Sequence, residues 1–150
     1  MNNSIEIGQA SQVFDGVVIN GGTKIGENTL IYYGSNLSNC QIGDDVVIDM
    51  GVIIEDGAVV ENKSRIGPGS RVSKGTVVKS GQLWEGSPAI YVRELTDKDY
   101  SHMNNLVVQS AEISLLNAQE QNKNQAERQS EYDEHKYLFH RRSTYQETPF

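Results

Sequence analysis

Aliphatic residues recur at every sixth position over almost half of this chain: Ile7, Val13, Ile19, Ile25, Ile31 and Leu37. After one step of five the count resumes at Ile42, Ile48, Ile54, Val60, Ile66, Val72 and Val78. A period of six fits neither the 3.6 of an α-helix nor the 2 of a long strand. It fits a chain that runs a short strand, turns a corner and repeats, which is the pattern of a hexapeptide β-helix. A small or β-branched residue follows almost every aliphatic by four places, as at Ser11, Thr23, Ser35, Val46, Ala58, Ser64 and Thr76. That spacing places it where the interior is narrow. Glycine stands three places after most of them, as at Gly16, Gly22, Gly34, Gly51, Gly57, Gly69 and Gly75, where a corner favours positive φ. Asn28 and Asp45 hold that place in two other repeats and tolerate the same conformation. Three hexapeptides close one triangular coil, so Ile7 to Val78 gives four coils.

The rest of the chain reads as an appendage. Residues 1–90 form the hexapeptide β-helix and residues 91–150 a C-terminal helix and partner-binding tail. Lys79 to Pro88 reads as an exit segment in which Trp84, between Gly81 and Gly86, anchors the last coil. A helix starts near Thr96, where Thr96 and Asp99 approximate a capping box. Tyr100, Met103, Leu106, Val107, Ile113 and Leu116 form a stripe to lay against the coils. Asn117 to Ser130 is polar, either a solvated helix or disordered. The last twenty residues carry Tyr132, Tyr137, Leu138, Phe139, Tyr145 and Phe150 with Arg141 and Arg142, a content that binds a partner.

A net charge of −7 argues against a nucleic-acid partner. One cysteine, Cys40, forbids an internal disulfide and fits a reducing compartment. No apolar run approaches the ~20 residues of a membrane span. No transit peptide is visible before the coils. The abrupt start leaves the first coil uncapped, so either a partner covers it or the sequence is N-terminally incomplete.

Leu83-Trp84-Glu85-Gly86-Ser87-Pro88-Ala89, followed by Arg93-Glu94-Leu95-Thr96-Asp97, resembles the exit motif and first helical turn of the γ-class carbonic anhydrase family. Asn39-Cys40, Ile42-Gly43 and Asp49-Met50-Gly51 resemble that family too, in register with no gap. The tail resembles the mitochondrial members, which are subunits of respiratory complex I. The resemblance implies an all-β left-handed parallel β-helix with a C-terminal α-helix and extended tail. It implies a trimer of homologous β-helix subunits, a heterotrimer, attached to complex I membrane-arm subunits on the matrix side of the mitochondrial inner membrane.

The family holds Zn²⁺ on three histidines, two from one subunit and one from its neighbour. The resemblance puts Asn20, Tyr33 and Ser38 at those three places, with Phe14 at an associated glutamine's place. None offers an imidazole or thiolate, so the expectation is a structural subunit with no cofactor, no metal site and no catalytic residue. His102, His135 and His140 all lie beyond the coils and read as surface histidines. Cys40 reads as a small core residue, Tyr32 and Tyr33 as seam packing, and Asp44, Asp45, Glu55 and Asp56 as solvated corners. Two other classes compete. One is an enzyme: an anhydrase with ligands borrowed from neighbours, or a hexapeptide acyltransferase, which usually needs a histidine base in a loop between coils, and residues 5–90 contain none. A β-helix adaptor of a cytoskeletal complex, such as the pointed end of dynactin, would lack the Leu-Trp-x-Gly exit.

Overall fold

The computed structural model describes residues 3–121. Thirteen two-residue strands follow one another at the expected spacing. They are β1 (Glu6–Ile7), β2 (Gln12–Val13), β3 (Val18–Ile19), β4 (Lys24–Ile25), β5 (Leu30–Ile31), β6 (Asn36–Leu37), β7 (Gln41–Ile42), β8 (Val47–Ile48), β9 (Ile53–Ile54), β10 (Val59–Val60), β11 (Arg65–Ile66), β12 (Arg71–Val72) and β13 (Val77–Val78). Then come β14 (Gln82–Gly86), β15 (Ala89–Glu94) and α1 (Asp97–Gln121).

Every third strand falls in the same sheet. Sheet I has the order β1-β4-β7-β10-β13, sheet II β15-β14-β11-β8-β5-β2, and sheet III β12-β9-β6-β3. The pairing of β1 through β14 is parallel, so the repeat unit is a coil hydrogen-bonded to the coils above and below. The second residue of each strand points inward. Ile31, Leu37, Ile48, Ile54, Ile66, Val72 and Val78 are fully buried and stack through the interior. Ile7 and Val13, in the first coil, remain 48% and 39% exposed because no coil covers them.

From Thr23 to Ser70 the small residue four places on is also buried, and its chemistry goes beyond size. Thr29, Ser35 and Ser64 hydroxyls donate to the carbonyls of Gly43, Asp49 and Lys79 in the next coil, at 2.7–2.9 Å. These buried hydroxyls are therefore satisfied by backbone, as burial demands. The glycine corners all have positive φ, between 67° and 86°, and Asn28 and Asp45 adopt the same conformation.

Beyond Val78 the structure differs from the exit segment read in the sequence. β14 continues the stack in register, with Trp84 opposite Ile66. β15 then turns back antiparallel on β14. Trp84 is half-buried against the core, its indole N–H donating to Gln82 Oε1 at 3.0 Å, which agrees with an anchoring role. The six-residue step from Val78 lands on Trp84, but the aliphatic pattern hid it because the residue is aromatic.

α1 starts as expected. Thr96 N–H donates to Asp99 Oδ2 at 2.7 Å, and Asp99 also accepts from Nη1 and Nη2 of Arg93, at 2.6 and 3.0 Å. Tyr100 and Met103 cover Val47, Leu83 and Leu95, which face outward from sheet II and the start of the helix. The chain divides into two units, Met1–Ala111 and Glu112–Phe150. The side chains of Ile113 and Leu116, the polar segment past Gln121 and the aromatic, basic tail lie outside the described residues. Among the described residues no helix is long and apolar enough to cross a membrane.

Candidate functional site

The three places that the resemblance assigns to zinc ligands fall on two corners. Asn20 follows β3 and Ser38 follows β6, both at the corner between sheets III and I, one coil apart. Asn20 Nδ2 donates to Ser38 Oγ at 2.8 Å. Around them an open depression is lined by Asn3, Ser4, Gly21, Gly22, Lys24, Asn39 and Asp56. Tyr33 follows β5 and stands at the corner between sheets II and III. The four-residue gap in sequence would pair Tyr33 with Ser38; the coil instead pairs Ser38 with Asn20, eighteen residues away. That grouping was legible from the period, since one coil is three hexads.

Tyr33 belongs to an aromatic group. Phe14 lies one coil below Tyr32, with ring centroids 4.7 Å apart, and meets Tyr33 edge-on at 5.0 Å. Tyr32 is half-buried and Tyr33 is 47% exposed. Burial raises the Tyr32 phenol pKa, and the Asp49 carboxylate raises it further. Asp49 is held by Arg65, whose Nε and Nη2 donate at 3.0 and 3.3 Å. Sequence reasoning missed this pair. Its signal was the separation of 16, one coil less two residues, which recurs in the Arg71–Glu55 pair on sheet III.

The remaining candidates are placed as follows. Cys40 is buried in the column of small residues, between Thr23 and Ala58, and burial pushes its thiol up to about 11. The Thr23 hydroxyl beside it offsets part of that rise. Asp44, Asp45 and Asp56 are exposed, as read. Glu55 is half-buried and ion-paired, so that corner is less solvated than expected. Asp44 is also more than a solvated acid, because its Oδ1 accepts from Glu27 N–H at 2.8 Å. His102 is exposed on α1. His135, His140, Arg141 and Arg142 lie outside the described residues.

Zinc takes imidazole nitrogens, thiolates or carboxylates in a tetrahedral set. Asn20 and Ser38 offer a carboxamide and a hydroxyl that are already bonded to each other, and Tyr33 offers only a phenol. That donor set does not fit zinc. Among the described residues no group of three or more His, Cys, Asp or Glu side chains is placed to hold a metal ion.

Fold and repeat together define the class, a hexapeptide-repeat β-helix. A family profile described as bacterial transferase hexapeptide (six repeats) matches residues 39–74. A hexapeptide transferase family protein from Anaplasma phagocytophilum is 27% identical, with a TM-score of 0.65 over 74% of this chain and 80% of that one. A hexapeptide-repeat acetyltransferase from Vibrio cholerae is 25% identical, with a TM-score of 0.57 over 62% of this chain and 64% of that one.

Within that class the chain is similar to gamma carbonic anhydrase 2, mitochondrial, of Arabidopsis thaliana. The two are 26% identical over 131 residues, 81% of this chain and 47% of the relative. The chain thus spans about half the length of that relative. The likeness bears out the γ-class resemblance read from the exit motif.

Proposed function

We propose that this chain is a non-catalytic structural subunit: one β-helical member of a γ-carbonic-anhydrase-like heterotrimer on the membrane arm of mitochondrial respiratory complex I, at the matrix side of the inner membrane. The observation that carries the silent reading is the Asn20–Ser38 hydrogen bond. Two groups that satisfy each other replace the two imidazoles a metal would need on one subunit. The mitochondrial name of the plant relative supports the compartment. The exposed Tyr33 and Met50, neighbours along one corner, support a packed seam there.

Acetyl transfer is the second reading, favoured by the solved acetyltransferase that shares the fold. Against it, residues 5–90 contain no histidine, the side chain that most often serves as general base.

Metal analysis decides the first point. The full chain carrying His135→Asn and His140→Asn is expected to purify without stoichiometric zinc and without CO₂ hydration. One zinc per protomer together with hydration activity would return the protein to the enzymes. Affinity isolation of the tagged chain from mitochondria tests the assembly: complex I membrane-arm subunits and β-helical relatives are expected, and their absence refutes that assignment. Acetyl-CoA binding at micromolar concentration would favour the transferase.

A further inference from the structure

The corner between sheets I and II breaks the chain's own glycine rule. Its stacked left-handed positions are Ala10, Asn28, Asp45 and Lys63, with φ of 61°, 55°, 57° and 60°. Equivalent positions on the other two corners are mostly glycine. A side chain in the left-handed region is disfavoured where glycine is not, and residues held there against that preference cluster at functional sites. Lys63 is the sharpest case, since unlike Asn and Asp it has no short polar side chain to ease the conformation.

Three of these four residues line one cavity with α1. The cavity is about 540 Å³, bounded by Asn28, Asp45 and Lys63 on the coils and by Tyr100, Met103, Asn104 and Val107 on α1, with Val47 at its base. The helical residues are spaced three and four apart and so share one face. Gly81 closes the column and explains why glycine returns there. The Tyr100 hydroxyl lies 3.0 Å from where a Cβ on Gly81 would stand, so the helix needs that space.

The lining has a definite chemistry. Val47, Met103 and Val107 supply an apolar surface, and Asn28, Asn104 and Tyr100 supply amide and hydroxyl groups. Asp45 and Lys63 sit on adjacent coils, whose backbones stack about 4.8 Å apart. Neither side chain has a hydrogen-bond or ion-pair partner among the described residues. Two opposite charges on adjacent coils at the mouth of this cavity suit a ligand that carries both an ammonium and a carboxylate. The volume is within the range of small-molecule sites, roughly 300–1,000 Å³, with room for bridging waters.

We propose that this groove binds a small zwitterion with an apolar arm, an α-amino acid with an aliphatic or aromatic side chain. Its ammonium pairs with Asp45, its carboxylate with Lys63, and its side chain lies on Val47, Met103 and Val107. The site is independent of the corners that carry Asn20, Ser38 and Tyr33, and stands whether or not the chain is a complex I subunit.

The test is a methyl-detected NMR titration of the full chain with leucine, methionine and phenylalanine. Saturable shifts at the Val47, Met103 and Val107 methyls are expected for at least one of the three. Leucinamide, which lacks the carboxylate, and N-acetyl-leucine, which lacks the ammonium, should bind at least tenfold more weakly than leucine. Asp45→Gly and Lys63→Gly remove the charges and relieve the left-handed backbone, so both should hold or raise Tm while weakening binding at least tenfold. A purely structural role would not separate those two readouts. No saturable shift with any of the three amino acids, equal binding of the blocked analogues, or wild-type binding by both variants would overturn the proposal.

Discussion

Ile54 and Ile7 occupy the same kind of position, the inward second residue of a strand, and their burial differs completely. Ile54 has no exposed surface, with Leu37 and Val72 as its register partners above and below. Ile7 is 48% exposed at the end of the stack. Ile54→Ala removes three carbons from a closed interior and leaves a cavity; such deletions cost about 2–5 kcal/mol, and a fully enclosed site falls near 3–4. Ile7→Ala forfeits roughly half a transfer term of 1.5–3 kcal/mol and opens no enclosed cavity, so its cost is about 1 kcal/mol. With an m-value of ~2 kcal/mol/M in urea, the midpoints should fall by roughly 1.5–2 M and ~0.5 M respectively. Far-UV circular dichroism reports all coils, and Trp84 fluorescence reports the C-terminal end of the stack. Both probes should see the Ile54→Ala loss, whereas Ile7→Ala should barely move the Trp84 transition, because coils couple chiefly to their neighbours. If the two variants differ by less than ~0.5 kcal/mol, the stacking account is wrong.

Other outcomes are open to direct measurement. Ile54→Asp or Ile66→Asp places an unpaired carboxylate in the same apolar interior, at a cost of several kcal/mol, and should abolish the cooperative melt. Arg93, then the Thr96 N–H, holds the Asp99 carboxyl well below the usual carboxylate range. A carboxyl depressed in the folded state stabilises fully above its unfolded value of about 3.9 and loses that contribution as the pH falls further. Tm and helical signal should therefore drop between pH 7 and pH 3 more in the wild type than in Asp99→Asn; parallel pH profiles would contradict the clamp. With its thiol pushed up to about 11, Cys40 should react with iodoacetamide at pH 8 at least about 100-fold more slowly in the folded chain than in urea. Rates within tenfold of each other would mean that the cysteine is accessible.

The coils were legible because their periodicity is a direct image of packing: one inward residue and one corner per hexad. The glycine corners were legible for the same reason, since positive φ restricts residue choice locally. The hairpin of β14 and β15 was not, because Trp84 continues the register in a residue type the aliphatic pattern excludes. The Asp49–Arg65 pair and the groove beside α1 were not legible either. The pair is marked only by a separation of 16 that becomes meaningful once the coil length is known, and the groove depends on where the helix packs. Of the candidate site, the residue identities at positions 20, 33 and 38 were readable from the resemblance. Which two of them meet depended on the corner each one occupies.

The single five-residue step has a consequence for how this architecture tolerates change in length. Coil-to-coil pairing runs at 18 residues from β1 to β4, at 17 across β4–β7, β5–β8 and β6–β9, and at 18 again beyond. The missing residue comes from the corner after β6, where Ser38, Asn39 and Cys40 do the work that four residues do elsewhere. Asn39 absorbs the shortened path with a φ of 41°. In a continuous strand the loss of one residue would turn every later side chain to the opposite face. Here Ile42 still points inward at 4% exposure, and all later strands keep their parity. The corner acts as an expansion joint: the missing residue is absorbed within the three residues Ser38 to Cys40, and the strands on either side keep their inward faces.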